Sequence, residues 1–149
     1  MSYTQLIYHI VIRTHGSRRT ISEAHERELY NYMFGIARNR NVVVYRIGGM
    51  PDHVHLLVGL PSDLSVAKFV QELKSVTSTW LKANPKFPSF DHWGKEYAAF
   101  TYSAKERDVV INYIKGQKEH HRTQSFAEEY RQLIEESGIA INEQYFLRE

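Results

Sequence analysis

The runs NVVVYRI (residues 41–47) and HVHLLVGL (53–60) are β-branched and apolar, and a five-residue stretch, Gly-Gly-Met-Pro-Asp, separates them. A connection this short joins two strands as an antiparallel hairpin, with Gly48-Gly49 read as the turn. The rest of the chain has to be built around that hairpin. LIYHIVIRT (6–14) alternates and reads as a first strand, and the stretch 97–102 reads as a fourth. A helix over about 23–39, capped by Ser22, spaces Leu29, Met33, Ile36 and Ala37 helically. A second over about 65–83, capped by Asp63 or Ser65, carries the stripe Val66, Phe69, Val70, Leu73, Val76, Trp80 and Leu81. Its other face, Lys68, Gln71, Lys74, Ser78 and Lys82, reads as solvated or phosphate-contacting. The order strand, helix, strand, strand, helix, strand predicts an α+β fold. Two right-handed crossovers around a four-stranded antiparallel sheet (βαββαβ) make it a ferredoxin-like plait with both crossover helices on one face.

Strand parity then separates two chemistries in the third strand. Val54, Leu56 and Val58 point to the core side, while His53 and His55 share the opposite face. Such a pair reads either as a histidine-bearing edge strand or as two ligands of a metal ion. In the first strand, His9, Val11 and Arg13 share one face and Tyr8, Ile10 and Ile12 the other. The face bearing the histidines is left for later helices or a ligand.

Past the Pro-punctuated loop ANPKFPSF, Ser103 caps a helix predicted over 104–121, and a final amphipathic helix spans about 126–136. On the first of these, Tyr113 and Gln117 are one turn apart, with Gly116 between them and His120 and His121 following on roughly the same side. Taken alone, Val109, Val110, Tyr113 and Ile114 read as a plain core stripe. The tail IAINEQYFLRE reads as an arm exchanged between subunits or a cap on its own core.

Composition narrows the setting. At 149 residues the chain is one domain (1–149), without internal repeats or a linker, and long enough to bury a core. It has no cysteine, which excludes disulfides and zinc-thiolate sites and fits a reducing cytoplasm. No run is long enough to cross a membrane and no signal-peptide pattern opens the chain. With a net charge of +2, any nucleic-acid surface depends on where Lys and Arg are placed rather than on overall charge.

MPDHVHLLVGLP, followed downstream by NYIKGQ, resembles the single-tyrosine transposases of the HUH (His-hydrophobic-His) nuclease superfamily. The likeness extends through YHIVIRT, LSVAKFVQELKS and WGKEYAAFTYS. That resemblance implies a DNA transposase acting on single-stranded DNA with hairpin ends. Tyr113 matches the nucleophile that forms a 5′-phosphotyrosine bond and frees a 3′-OH. His53, His55 and Gln117 match the ligands of Mg²⁺ or Mn²⁺, of which Mn²⁺ suits imidazole better. The same likeness implies a homodimer whose tyrosine helix can act in trans. The spacing by itself leaves His120 or His121 open as the third ligand, and Asp52 open as an outer carboxylate.

Physical chemistry is consistent with this assignment. A phosphodiester transition state concentrates negative charge that a cation can bind. A tyrosine hydroxyl, with a pKa of about 10, needs a nearby cation to become a good nucleophile. Covalent attachment conserves the energy of the broken bond, so a strand can be rejoined without ATP. Candidate DNA-binding residues are Arg13, Arg18, Arg19 and Arg46, together with the segment KEHHRTQ after Gly116-Gln117. Two other readings remain at this level: a non-catalytic nucleic-acid-binding plait, and a metal-dependent hydrolase of a small phosphoester.

Overall fold

In the computed structural model, which describes residues 2–148, a four-stranded antiparallel sheet is built from β1 (Ile7–Thr14), β2 (Val43–Met50), β3 (His53–Gly59) and β4 (Trp93–Tyr102) in the order β2-β3-β1-β4. Helices α1 (Glu26–Asn39) and α2 (Val66–Lys82) follow β1 and β3, and this is the α+β plait expected from the element order. Three further helices follow β4: α3 (Arg107–Lys115), α4 (Gln117–His120) and α5 (Phe126–Glu136). Because β3 pairs with both β2 and β1, the histidine pair lies on an interior strand and not on an edge.

The two faces of the sheet bury different things. Ile10, Ile12, Val54, Leu56 and Val58 pack against Leu29 and Met33 of α1 and Phe69 and Leu73 of α2, all fully out of water. Each such side chain contributes about 1.5–3 kcal/mol. The opposite face holds two smaller clusters. Ile7 and Leu57 meet Val110 and Ile114 of α3, while Val11, Ala98 and Phe100 meet Phe126 of α5. These later helices thus cover the face that carries His53 and His55.

Several boundaries differ from the expectation. Gly48 and Gly49 are not the turn. They lie inside β2, opposite His55 and Val54, and the two-residue loop is Pro51-Asp52 between the paired Met50 and His53. The glycines are needed for close approach: a Cβ on Gly49 would stand 2.2 Å from the His53 carbonyl oxygen, and one on Gly48 would stand 3.0 Å from Ile114 of α3. A bulge between Val44 and Arg46 interrupts the ladder of β2 with β3. The fourth strand begins at Trp93, earlier than expected, because Thr14 pairs with Trp93 after a register shift. Ser22 bonds the His25 ring (3.1 Å) rather than capping the backbone, and a short 3-10 turn precedes α1. Ser65 is the cap of α2, accepting from the Lys68 N–H at 3.1 Å. The helix expected over 104–121 is broken at Gly116 (φ −87°, ψ 12°), which separates α3 from α4.

Lys74, expected on a solvated or phosphate-contacting face, donates to the carbonyls of Gly94 and Glu96 (2.8 and 2.9 Å). The tail caps its own chain: Leu147 packs on the cluster of Val11 and Phe126, and Phe146 stacks on Tyr130 of α5. No described helix is long and apolar enough to cross a membrane.

Candidate metal centre and nucleophile

The site starts from β3. Its core-side residues anchor in the hydrophobic layer, and both neighbouring strands hold its backbone, so His53 and His55 project from a fixed platform with 0% exposure. Each ring has a partner on Nδ1. His53 Nδ1 donates to Asp52 Oδ1 in the hairpin loop at 2.7 Å, and His55 Nδ1 lies 2.7 Å from His9 Nε2 on β1. The loop itself is tied down, since Asp52 O accepts from Thr14 N at 3.0 Å and Pro51 O from Ile21 N at 2.9 Å. Phe126 stacks on the His53 ring with centroids 4.2 Å apart.

The break at Gly116 turns Gln117 inward. Its amide is 1% exposed, with Oε1 3.0 Å from both His53 Nε2 and His121 Nε2. The Nδ1 of His121 donates to the Gln124 carbonyl at 2.8 Å, which leaves its Nε2 for the cluster. From α5 comes Glu129, 1% exposed. Its Oε1 lies 3.3 Å from the Nε2 atoms of His53 and His55 and 3.0 Å from that of His121. Its Oε2 accepts from Gln117 Nε2 at 2.7 Å and from the Tyr113 hydroxyl. Tyr113 is thereby brought beside the pair, its ring 5.9 Å from that of His55 and meeting it edge-on. Tyrosine and histidines meet within one chain.

Of the alternatives for a third donor, Gln117 and His121 both face the pair. His120 stands farther out, its Nε2 3.7 Å from Glu129 Oε2. The ligand atoms of His53, His55 and Glu129 all lie within 4.8 Å of one another. Donors about 2.0–2.2 Å from one ion stand roughly 3.0–3.5 Å apart, which is the spacing of Oε1 of Glu129 and Gln117 from the imidazoles. Each imidazole offers an Nε2 backed by a partner on Nδ1, the arrangement metal-binding histidines need. The residues present therefore fit a divalent cation.

Electrostatics follow the same geometry. Burial alone would push the Glu129 carboxyl up, but the imidazoles of His121, His53 and His55, whose Nε2 atoms stand 3.0–3.3 Å from Oε1, hold it far below the usual carboxylate range. Burial, reinforced by the bond to Glu129, pushes the Tyr113 hydroxyl well above its ordinary value, so the phenol is neutral in this state. His55 is driven down to about 4, first by burial, and is neutral. For His53 the bonds to Asp52 and Glu129 outweigh burial and raise its pKa. Asp52 is lowered because its bond to His53 and the nearby Arg19 outweigh its own burial.

Glu129 is absent from the sequence reading. The signal was there: Glu129 falls at the i+3 position from Phe126, within the buried face that continues to Tyr130 and Leu133. A carboxylate on an apolar stripe needs a buried partner. Among the candidate DNA-binding arginines, Arg13 is 6% exposed and donates to Ser17 Oγ at 3.2 Å, a place in the interior. Arg18 and Arg19 are exposed after β1, with Arg18 paired to Asp91 at 2.9 Å. Arg46 lines an open groove between α1, β2 and α3 that also includes Arg27, Tyr45, Lys115 and Lys118 and reaches Gln117.

The sequence profile of the family described as "Transposase IS200 like" matches residues 2–117. No curated protein matches the chain. Among solved structures, a candidate transposase from Deinococcus radiodurans R1 is 24% identical, with a TM-score of 0.59, over 78% of this chain and 93% of that one. A REP-associated tyrosine transposase bound to a REP hairpin is 14% identical, with a TM-score of 0.62, over 81% of this chain and 72% of that one. At these identities the two structures attest the fold.

Proposed function

The chain belongs to the family of IS200-like transposases, and on that premise we propose that it cuts and rejoins single-stranded DNA through Tyr113, with Mg²⁺ or Mn²⁺ held by His53, His55 and Gln117. The observation that carries this reading is convergence. Side chains from β3, α3, α4 and α5 meet around one buried point, and the tyrosine hydroxyl is hydrogen-bonded to the same carboxylate that touches both histidines. Glu129 and His121 complete the donor set.

In this reading Tyr113 Oη attacks a backbone phosphorus. The O–P bond forms as the bond to the 3′-oxygen breaks, and the hydroxyl hydrogen passes by way of Glu129 to the departing 3′-oxygen, which leaves as a hydroxyl. A later 3′-OH attacks the phosphotyrosine and regenerates Tyr113, so the strand is rejoined without another energy source. His53, His55 and Gln117 would hold the divalent ion, which when bound would supply positive charge beside the reacting phosphate and favour the phenolate. The protein's part is to hold geometry: Asp52 fixes the His53 ring, the Gln124 carbonyl fixes His121, and Glu129 aims the tyrosine. The tyrosine hydroxyl reaches the carboxylate beside its own chain's histidines, which supports a nucleophile acting in cis; the homodimer with a tyrosine helix acting in trans is the alternative arrangement.

For the substrate we extend hairpin DNA binding from the REP-bound neighbour. What supports this is the groove that leads to Gln117, where Arg27, Arg46 and Lys115 outnumber Glu23 and Glu26, Lys118 being taken up by Glu26 and the Gly49 carbonyl. The test is covalent capture. The protein is incubated with Mn²⁺ and labelled single-stranded hairpins carrying randomised flanks, then resolved on a denaturing gel. A slow-migrating adduct that EDTA and His53→Ala abolish is expected. Hairpin binding without any adduct would leave a non-catalytic DNA-binding plait. Phosphoester hydrolysis without an adduct would leave a water-using hydrolase.

A further inference from the structure

Among the described residues, His9 is the one imidazole against the pair that does not itself reach the donor cluster. It sits on β1, diagonal to His55 across the β1–β3 ladder, where His9 pairs with Leu57 and Val11 with His55. It is 1% exposed, and its ring stacks on that of His55 with centroids 5.0 Å apart and planes at 28°. Its Nε2 meets His55 Nδ1 at 2.7 Å. The other nitrogen, Nδ1, is buried without a hydrogen-bond partner among the described residues. The rings of Phe100, Tyr113 and Tyr102 surround it, at centroid distances of 6.0, 6.1 and 6.3 Å.

We infer that His9 is a positioning residue for the metal centre: it accepts the Nδ1–H of His55 and so fixes the tautomer in which the His55 Nε2 lone pair faces the donor cluster. The inference rests on the metal-binding reading above and deepens it. Two neutral imidazoles facing each other share one hydrogen. If His9 donated it, the hydrogen of His55 would sit on Nε2, aimed at Glu129 Oε1 3.3 Å away, and no lone pair would be left for a cation. If His55 donates it, Nε2 is free to bind. The other two imidazoles of the cluster are held in the same sense, His53 by Asp52 and His121 by the Gln124 carbonyl. His9 supplies for His55 what those acceptors supply for their rings.

In this tautomer the hydrogen of His9 sits on its orphaned Nδ1, a cost that packing alone does not explain. A buried nitrogen without a partner lowers stability, and a residue chosen for packing alone at this position would be apolar, like its face-mate Val11. The polar ring is accounted for by what its other nitrogen does.

The experiment uses the full chain with Mn²⁺, whose free concentration is read by electron paramagnetic resonance. His9→Phe keeps an aromatic ring and removes the acceptor; His9→Gln retains one. His9→Phe is expected to weaken Mn²⁺ binding about 10- to 100-fold, with the metal-free melting temperature unchanged or raised, and His9→Gln to restore most of the loss. In parallel, long-range ¹H–¹⁵N spectra of the Zn²⁺-loaded wild-type protein should place the His55 hydrogen on Nδ1. A folded His9→Phe protein that binds Mn²⁺ as well as wild type overturns the inference. So does a Zn²⁺-loaded protein with the His55 hydrogen on Nε2, a measurement that stands even if His9→Phe does not fold. A wild-type protein that binds no divalent ion overturns the metal reading itself, and this inference with it.

Discussion

Glu129 brings a negative charge into a place 1% exposed to water, and the imidazoles of His53, His55 and His121 are what make that tolerable. Replacing it by glutamine keeps the shape but discards the charge those rings answer to. Glu129→Gln is expected to weaken Mn²⁺ binding by about tenfold or more. It should also cost about 1–3 kcal/mol of stability, read by urea unfolding in EDTA. Unchanged values on both counts would leave Glu129 a bystander. At this scale the sequence was unevenly legible. His53 and His55 could be placed on one face because a strand alternates strictly, and Tyr113 and Gln117 could be made neighbours by helical spacing. Glu129 could not be assigned as a partner, because an amphipathic helix says which residues are buried and not which distant strand they meet. His9 was seen on its face for the same reason of parity, but its contact with His55 depends on the register between β1 and β3, which no local pattern encodes.

At the scale of elements, the hairpin that carries the pair shows why correct elements can have wrong boundaries. Gly-Gly is a strong turn signal, yet here Pro51-Asp52 makes the turn while the glycines let β3 and α3 approach closely. Gly49→Ala would set a methyl 2.2 Å from the His53 carbonyl oxygen, a backbone atom that cannot step aside. The expected cost is about 1–3 kcal/mol, seen as a lowered melting temperature, together with weaker Mn²⁺ binding because His53 is displaced. A melting temperature equal to wild type would mean that the strand accommodates the methyl. The break at Gly116 was likewise hidden by a continuous helical pattern. A Cβ there would find ordinary contacts of 3.5 Å or more, so no steric need for glycine marks the break.

The whole molecule is a sheet with a hydrophobic layer on one side and the layer that carries the candidate site on the other. The element order made the first side legible. The second depends on α3, α4 and α5 folding back, and α5 lies beyond the part matched to the family. The docked helices leave the groove lined by Arg27, Arg46 and Lys115 open at the α1–β2 side. Arg46→Ala should weaken hairpin binding across all sequences and reduce the slope of log Kd against log salt by about 1, with metal affinity unaltered. An unchanged slope would move the DNA elsewhere on the surface.

Everything proposed for this site turns on Tyr113 joining covalently to DNA. The most direct test is to digest the Mn²⁺-dependent adduct with protease and nuclease and identify the modified peptide by mass spectrometry, comparing wild type with Tyr113→Phe. The account predicts a nucleotide linked through phosphate to Tyr113 in the wild-type protein, and no adduct but retained hairpin binding in the variant. A linkage on another residue, or an adduct that persists in Tyr113→Phe, would contradict it.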